Sequence, residues 1–110
     1  MNHYYDRSQL PRFGEIAEGN QELANAFFEY YNKVFEEGAL TVREKALIAL
    51  AVANTVQCPY CIDAYTTACL ESGSDLEQMT EAVHVATAIR GGASLVHGMQ
   101  MMDQVKQLSM

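Results

Sequence analysis

The stretch TVREKALIALAVANTV, residues 41–56, decides the fold. Thr41 and Glu44 have the spacing of a capping box, in which each side chain accepts a hydrogen bond from a free backbone N–H at the helix start. Residues 46–53 are all apolar, which is typical of a helix buried in a core or between subunits. In a chain of 110 residues, such a helix favours an oligomer.

A second helix is predicted on the N-terminal side of this stretch. Asn20 is a good cap residue, and apolar residues then recur at helical spacing until Gly38 closes the run. Residues 1–19 are expected to form an arm that packs on the body or on a neighbour, with a short helix near residues 14–18 at best. No linker or repeat interrupts the chain, so residues 1–110 are predicted to form a single domain.

Further helices are predicted on the C-terminal side. Pro59 suits the first turn of a helix that runs to about Glu71, because its missing N–H would be unpaired there anyway. Ser74 and Glu77 repeat the capping-box spacing at the start of the next helix. Gly91-Gly92 falls inside that helical pattern, where each glycine costs roughly 1 kcal/mol relative to alanine, which indicates a close helix contact or a bend. The predicted architecture is an all-α bundle of about five to six helices.

Composition and charge exclude several classes of partner. The net charge is −7 and the pI is near 4.7, and the seven Lys and Arg residues form no basic stripe, so nucleic acid is not an expected partner. The first residues have neither the positive charge nor the apolar run of a secretory signal. The apolar run at residues 46–53 is far shorter than the ~20 residues of a membrane-spanning helix. We therefore expect a cytoplasmic protein with no membrane partner.

The segment CPYC, residues 58–61, contains two of the three cysteines. An odd number of cysteines in a cytoplasmic protein argues against a structural disulfide framework. At the start of a helix, Cys58 and Cys61 would lie about one turn apart, in the positive field that favours the reactive thiolate. Redox chemistry of this pair is therefore the leading prediction, while Cys69 is expected to be a small buried hydrophobe.

Half of a zinc site has the same Cys-x-x-Cys spacing, so metal binding is the alternative. Zinc would need two further ligands, and none of His3, His84 and His97 is paired at ligand spacing with another candidate. We therefore predict neither a metal site nor a cofactor.

The apolar run 46–53 followed by CPYCI, residues 58–62, resembles the carboxymuconolactone decarboxylase and alkylhydroperoxidase D-like family. The resemblance covers residues 40–98. The sequence of residues 58–65 looks most similar to a branch of arsenosugar biosynthesis-associated peroxidase-like proteins. It implies an all-helical domain that assembles as trimers or hexamers. It also implies a thiol-dependent peroxidase or disulfide reductase that is recharged by a dithiol.

The resemblance also implies roles for individual residues. In family members with the cysteine pair, the second cysteine, here Cys61, attacks the peroxide and the first, here Cys58, resolves the sulfenic acid as a disulfide. Position alone favours Cys58 as the more activated thiol, because it lies nearer the helix terminus. The family's relay histidine falls on Tyr65 and its relay glutamate on Ala46, so the usual proton relay is absent. Tyr65 could donate a hydrogen bond one turn from Cys61, but a phenol is a poor base at neutral pH.

His84 is the candidate replacement for the relay, because its helix is expected to pack beside the Cys-x-x-Cys helix and imidazole titrates near neutrality. The alternative is that His84 pairs with Glu81 on a solvated face. Glu44 is near the vacant relay position, but its capping role is favoured. The predicted catalytic residues are Cys58, Cys61, His84 and Tyr65.

The functional alternatives differ in what they require of the cysteines. An oxidoreductase or peroxidase would cycle the pair against a peroxide or disulfide substrate and an unknown dithiol reductant. A binding module would use the two thiolates to capture a soft species such as trivalent arsenic. A decarboxylase-type lyase would need acid and base groups rather than thiols, and a purely structural scaffold would need neither.

Overall fold

The structure, a computed structural model, describes residues 14–109, which form a short 3₁₀ helix at residues 14–18 and four α-helices. The α-helices are α1 (Gln21–Phe35), α2 (Val42–Val56), α3 (Pro59–Glu71) and α4 (Leu76–Ser109). No β-strand occurs among these residues, so the predicted all-α class is confirmed. The predicted N-terminal arm lies largely outside the described residues.

Local sequence determines where α1 and α2 begin. The side-chain oxygen of Asn20 accepts a hydrogen bond from the backbone N–H three residues on, at 3.0 Å. Thr41 and Glu44 form the predicted capping box: the Thr41 hydroxyl accepts from the Glu44 N–H at 3.1 Å, and the Glu44 carboxylate accepts from the Thr41 N–H at 2.8 Å. Both predicted starts are confirmed, although α1 ends at Phe35, before Gly38.

α4 begins with a capping box one residue later than predicted. The Asp75 carboxylate accepts from the Gln78 N–H at 2.8 Å, and the Gln78 side chain accepts from the Asp75 N–H at 3.0 Å. The predicted box of Ser74 and Glu77 does not form, because the Ser74 N–H, which would donate to the Glu77 side chain, is bound to the Cys69 carbonyl at the end of α3, at 2.9 Å. Its hydroxyl is buried, without a hydrogen-bond partner in the described part of the chain. The turn that ends α3 therefore moves the start of α4 by one residue.

α4 runs without interruption for 34 residues, or about 51 Å at the usual rise per residue. Gly91-Gly92 lies inside it, and a Cβ atom added at either glycine would meet no atom within 4 Å apart from the adjoining backbone of α4 itself. The close helix contact expected at these glycines is therefore absent within the described chain. Residues 76–109 form one helix, so the described part of the chain has four α-helices against the predicted five to six. No helix in residues 14–109 has both the length and the apolar composition needed to cross a bilayer.

α2 lies at the centre of the fold, packed against both α3 and α4. Ala46 and Leu50 of α2 form the core with Cys69 of α3 and Met79 of α4. The opposite face of α2 is not covered by the other described residues, since its apolar side chains are half exposed or more: Ile48 by 50%, Val52 by 53% and Val56 by 63%. The helix predicted to be buried on every side is thus buried on one side within a single chain.

Candidate active site

Cys58 and Cys61 frame the first turn of α3. Cys58 is the N-cap residue and Pro59 occupies the first helical position, as predicted. The Cys58 sulfur accepts a hydrogen bond from the Cys61 N–H at 3.3 Å. The two cysteines are joined by a disulfide with their Cα atoms 5.2 Å apart, inside the range that a disulfide normally spans. The helix start therefore holds the two sulfurs close enough for oxidation.

A tight turn leads from α2 into this pair. Gln57 adopts a left-handed conformation with φ of 59°, and its N–H donates to the Ala53 carbonyl. The Cys58 N–H donates to the same carbonyl at 3.1 Å. The Arg90 guanidinium, carried by α4, donates to the Thr55 carbonyl. Hydrogen bonds thus join the turn to the last turn of α2, and the last turn of α2 to α4.

Cys61 lines an apolar groove of about 500 Å³. Tyr65, one turn further along α3, lines the same groove, and its ring is stacked on Phe35 with the ring centroids 5.4 Å apart. The walls come from the end of α1, the loop after it and the uncovered face of α2; they include Val34, Leu40, Ile48, Val52 and Val56. The predicted neighbourhood of Cys61 and Tyr65 is therefore observed, and the space beside them is suited to an apolar molecule.

Known proteins are similar to this chain in sequence and in fold. A sequence model described as the carboxymuconolactone decarboxylase family matches residues 21–104. The chain belongs to the carboxymuconolactone decarboxylase family. It is 39% identical, over 84 residues, to "Uncharacterized protein 4 in cox locus" of Paracoccus denitrificans, a match that covers 76% of each chain. It is also similar to the crystal structure of a protein from Methanobacterium thermoautotrophicum, with a TM-score of 0.74 and 32% identity, over 78% of this chain and 97% of that one.

In this member of the carboxymuconolactone decarboxylase family, the position that the resemblance assigns to a relay glutamate is occupied by a buried alanine, Ala46. Ala46 is 4% exposed and belongs to the core, with Leu50 and Cys69. A carboxylate here would be buried among apolar groups, which disfavours its charged form. Tyr65 also packs against this core, so the two relay positions are occupied by packing residues.

Lys45 is a residue of the groove that the sequence analysis missed. Its ammonium donates to the Val34 carbonyl at 2.7 Å and to the Glu36 carbonyl. Both acceptors lie at the end of α1, where backbone carbonyls lack partners within the helix. Lys45 therefore joins α1 to α2 at the edge of the groove. No local pattern signals this role, because the acceptors lie nine and eleven residues away.

His84 lies outside the lining of the groove that contains Cys61, as far as the described residues show. It is exposed on α4 and lines a separate surface depression with Glu81, Leu76, Glu77 and Thr80. α4 packs on α2, and the cysteines lie at the end of α3 that is far from the start of α4. The catalytic role of His84 stays a prediction, and its placement beside Glu81 is consistent with the solvated-face alternative.

Two further groups from the sequence analysis have structural roles. Cys69 has no exposed surface, and burial raises the pKa of its thiol. The pKa of the Glu44 carboxyl is lowered, mainly by the hydrogen bond from the Thr41 backbone N–H. Cys69 is therefore the predicted buried hydrophobe, and Glu44 is the predicted cap. Within residues 14–109, no three His, Cys, Asp or Glu side chains converge where a metal ion could be held.

Proposed function

We propose that the chain is a thiol-dependent oxidoreductase that reduces organic peroxides through a Cys58–Cys61 dithiol cycle. The observation that supports this function is the position of Cys61, at the start of a helix and on the wall of an apolar groove. A helix N-terminus favours the thiolate, which is the nucleophilic form of cysteine. Membership of a family that includes hydroperoxidases supports the same reaction class.

In the proposed cycle, the Cys61 thiolate attacks one oxygen of the peroxide and the O–O bond breaks. The other oxygen takes a proton and leaves as an alcohol, so Cys61 becomes a sulfenic acid. The Cys58 thiol then attacks the Cys61 sulfur, water leaves, and the disulfide forms. An external dithiol returns two electrons and two protons. These roles for the two cysteines follow the family resemblance, and the disulfide described above is the oxidised state of the cycle.

The composition of the groove favours a neutral, apolar substrate over a small polar one. Apart from Cys61, its polar side-chain atoms come from Lys45 and Tyr65, and the Lys45 ammonium is bound to backbone carbonyls. No imidazole or carboxylate lines this groove among the described residues. Tyr65 is thus the side chain that could donate a hydrogen bond to the leaving oxygen.

We also propose that the working form is a homo-oligomer, a trimer or hexamer. The exposed apolar side chains of α4, which lie outside the lining of the groove, support this assembly. Val96, Met99 and Val105 of α4 are each more than half exposed. Exposed apolar surface of this extent is typical of protein interfaces. Size-exclusion chromatography with light scattering tests the assembly, and a monomer at micromolar concentration would contradict it.

Capture of a soft species by the two thiolates is the second candidate, and the adjacent sulfur atoms favour it. A binder saturates at one equivalent of arsenite, whereas an enzyme continues to consume peroxide while a dithiol is supplied. A decarboxylase is less well supported, because the groove lacks an acid–base pair among the described residues. The link to arsenosugar biosynthesis and the cytoplasmic location stay predictions.

The decisive experiment is a thiol titration before and after one equivalent of cumene hydroperoxide. We expect the loss of two thiols, their recovery with dithiothreitol, and no paired loss in Cys58→Ser or Cys61→Ser. Unchanged thiols in the reduced wild type would contradict the proposal and favour the binding module.

A variant in the groove tests the substrate class. Val52→Asn should slow the reaction with cumene hydroperoxide more than the reaction with hydrogen peroxide, because it places a polar group on the groove wall. The matched control is Val85→Asn on α4, at a residue that is 60% exposed and outside the groove lining. Equal effects of the two variants on both peroxides would reject the groove as the substrate site.

A further inference from the structure

Cys58 lies between the C-terminal end of α2 and the N-terminal end of α3. Its N–H is bound to the Ala53 carbonyl in the last turn of α2, and its side chain caps α3. Helices carry a partial negative charge at the C-terminal end and a partial positive charge at the N-terminal end. The negative end of α2 therefore destabilises a thiolate at Cys58, whereas the positive start of α3 stabilises it.

The last turn of α2 contains no basic residue of its own. The cation at this helix end comes instead from α4, since Arg90 donates to the Thr55 carbonyl over a separation of 35 residues. A cation at a helix C-terminus offsets the partial negative charge there, and a guanidinium stays charged at every physiological pH. Arg90 thus binds the last turn of α2, three residues before Cys58, from a helix that does not carry either cysteine.

We propose that Arg90 is a positioning residue for the cysteine pair. By binding the Thr55 carbonyl, it fixes the turn that precedes Cys58 and offsets the negative end of α2, which stabilises the Cys58 thiolate. A more stable thiolate favours the reduced state of the pair. When an external dithiol gives two electrons to the disulfide, one of its two protons goes to the Cys61 sulfur and the other to solvent, Cys58 is left as the thiolate, and Arg90 shifts that equilibrium towards the reduced pair. The donor dithiol becomes a disulfide in the same step.

Three variants separate the charge of Arg90 from its hydrogen bond. Arg90→Lys keeps a charged donor, Arg90→Gln keeps a neutral donor, and Arg90→Met keeps neither. The matched control is Lys106→Gln, which removes one positive charge from the last turn of the same helix. The measurement is the equilibrium constant for reduction of the Cys58–Cys61 disulfide by glutathione at neutral pH. Circular dichroism checks that each variant is folded at the temperature used.

We expect Arg90→Gln and Arg90→Met to lower this equilibrium constant about fivefold, the size expected for a cation at a helix end. Arg90→Lys should retain most of the wild-type value, and Lys106→Gln all of it. Wild-type values in both neutral variants would overturn the proposal, as would an equal decrease in Lys106→Gln. A decrease in Arg90→Met alone would assign the effect to the hydrogen bond and reject the electrostatic role.

This inference rests on the proposed redox role of the pair, but the two can fail separately. A wild-type disulfide that never exchanges with glutathione would remove the proposed function itself. A wild type that exchanges normally, with Arg90 variants that have the same equilibrium constant, would remove only the role of Arg90. If Arg90→Met does not fold, the comparison of Arg90→Gln with Arg90→Lys still decides the question.

Discussion

The first and third turns of α3 carry the same functional group in opposite surroundings. Cys58 and Cys61, in the first turn, are partly exposed, and Cys61 faces the groove. Cys69, in the third turn, has no exposed surface and packs on Ala46 and Met79. A thiolate is poorly solvated in such a core, so burial raises the pKa of Cys69. Position along one helix therefore separates reactive thiols from an inert one.

The largest expected difference between the two turns is in catalysis. Cys61→Ser and Cys58→Ser should each lower peroxide turnover with a dithiol donor by at least about a hundredfold, since each removes a thiol that the cycle needs. Cys69→Ala should keep turnover close to the wild-type value, measured per folded molecule. A comparable loss in Cys69→Ala would show that the third turn takes part in the chemistry.

Substitution of Cys69 should lower the free energy of unfolding more than substitution of Cys61, which is the reverse of the order expected for catalysis. Cys69→Ser places a hydroxyl in the apolar core, which should lower the free energy of unfolding by about 1–3 kcal/mol. Cys69→Ala, which adds no polar group, should cost less. Urea unfolding of both variants and of reduced Cys61→Ser tests this, because the partly exposed Cys61 should tolerate the hydroxyl better. An equal loss of unfolding free energy in Cys61→Ser and Cys69→Ser would contradict the proposed difference between the two turns.

The raised pKa of Cys69 predicts how stability depends on pH. The folded pKa lies above the unfolded value near 9.0, so the stabilising contribution is complete below that value and is lost as pH rises through the folded pKa. Wild type should therefore lose stability above pH 9 more steeply than Cys69→Ala does. Urea midpoints from pH 8 to about pH 10 provide the measurement. Parallel curves would show that Cys69 does not titrate differently on folding.

The smallest expected effect concerns Pro59, between the two reactive cysteines. Pro59→Ala gives the unfolded chain more conformations, which should lower stability by up to about 1 kcal/mol. It should leave the protection of Cys69 from alkylation in the native protein unchanged, because the core lies two turns away. Thermal unfolding and mass spectrometry after iodoacetamide treatment measure the two quantities. Rapid alkylation of Cys69 in this variant would mean that the two turns are coupled.

Features that depend on neighbouring residues were predictable from the sequence. The capping box of Thr41 and Glu44, the helix start at Pro59 and the burial of Cys69 follow from patterns within a few residues or from residue type. The start of α4 was predicted one residue early. The backbone hydrogen bond from the Ser74 N–H to the Cys69 carbonyl, at the end of α3, has no sequence signature.

Features that depend on contacts between distant segments were not predictable. Lys45 binds the end of α1 and Arg90 binds the end of α2, and either side chain would look like an ordinary surface cation in the sequence. The position of His84 depends on which face α4 presents to α2, which the apolar pattern of α4 did not determine.

The Cys58–Cys61 disulfide closes a ring of four residues. In the chain-entropy description, so short a ring removes little freedom from the unfolded chain, which corresponds to about 2 kcal/mol, against about 4.7 kcal/mol for a ring of a hundred residues. Oxidation therefore stabilises the folded chain by less than half as much as the closure of a ring of a hundred residues would. Each turn of the proposed catalytic cycle therefore changes the stability of the folded chain less than the opening of a disulfide across a long loop would.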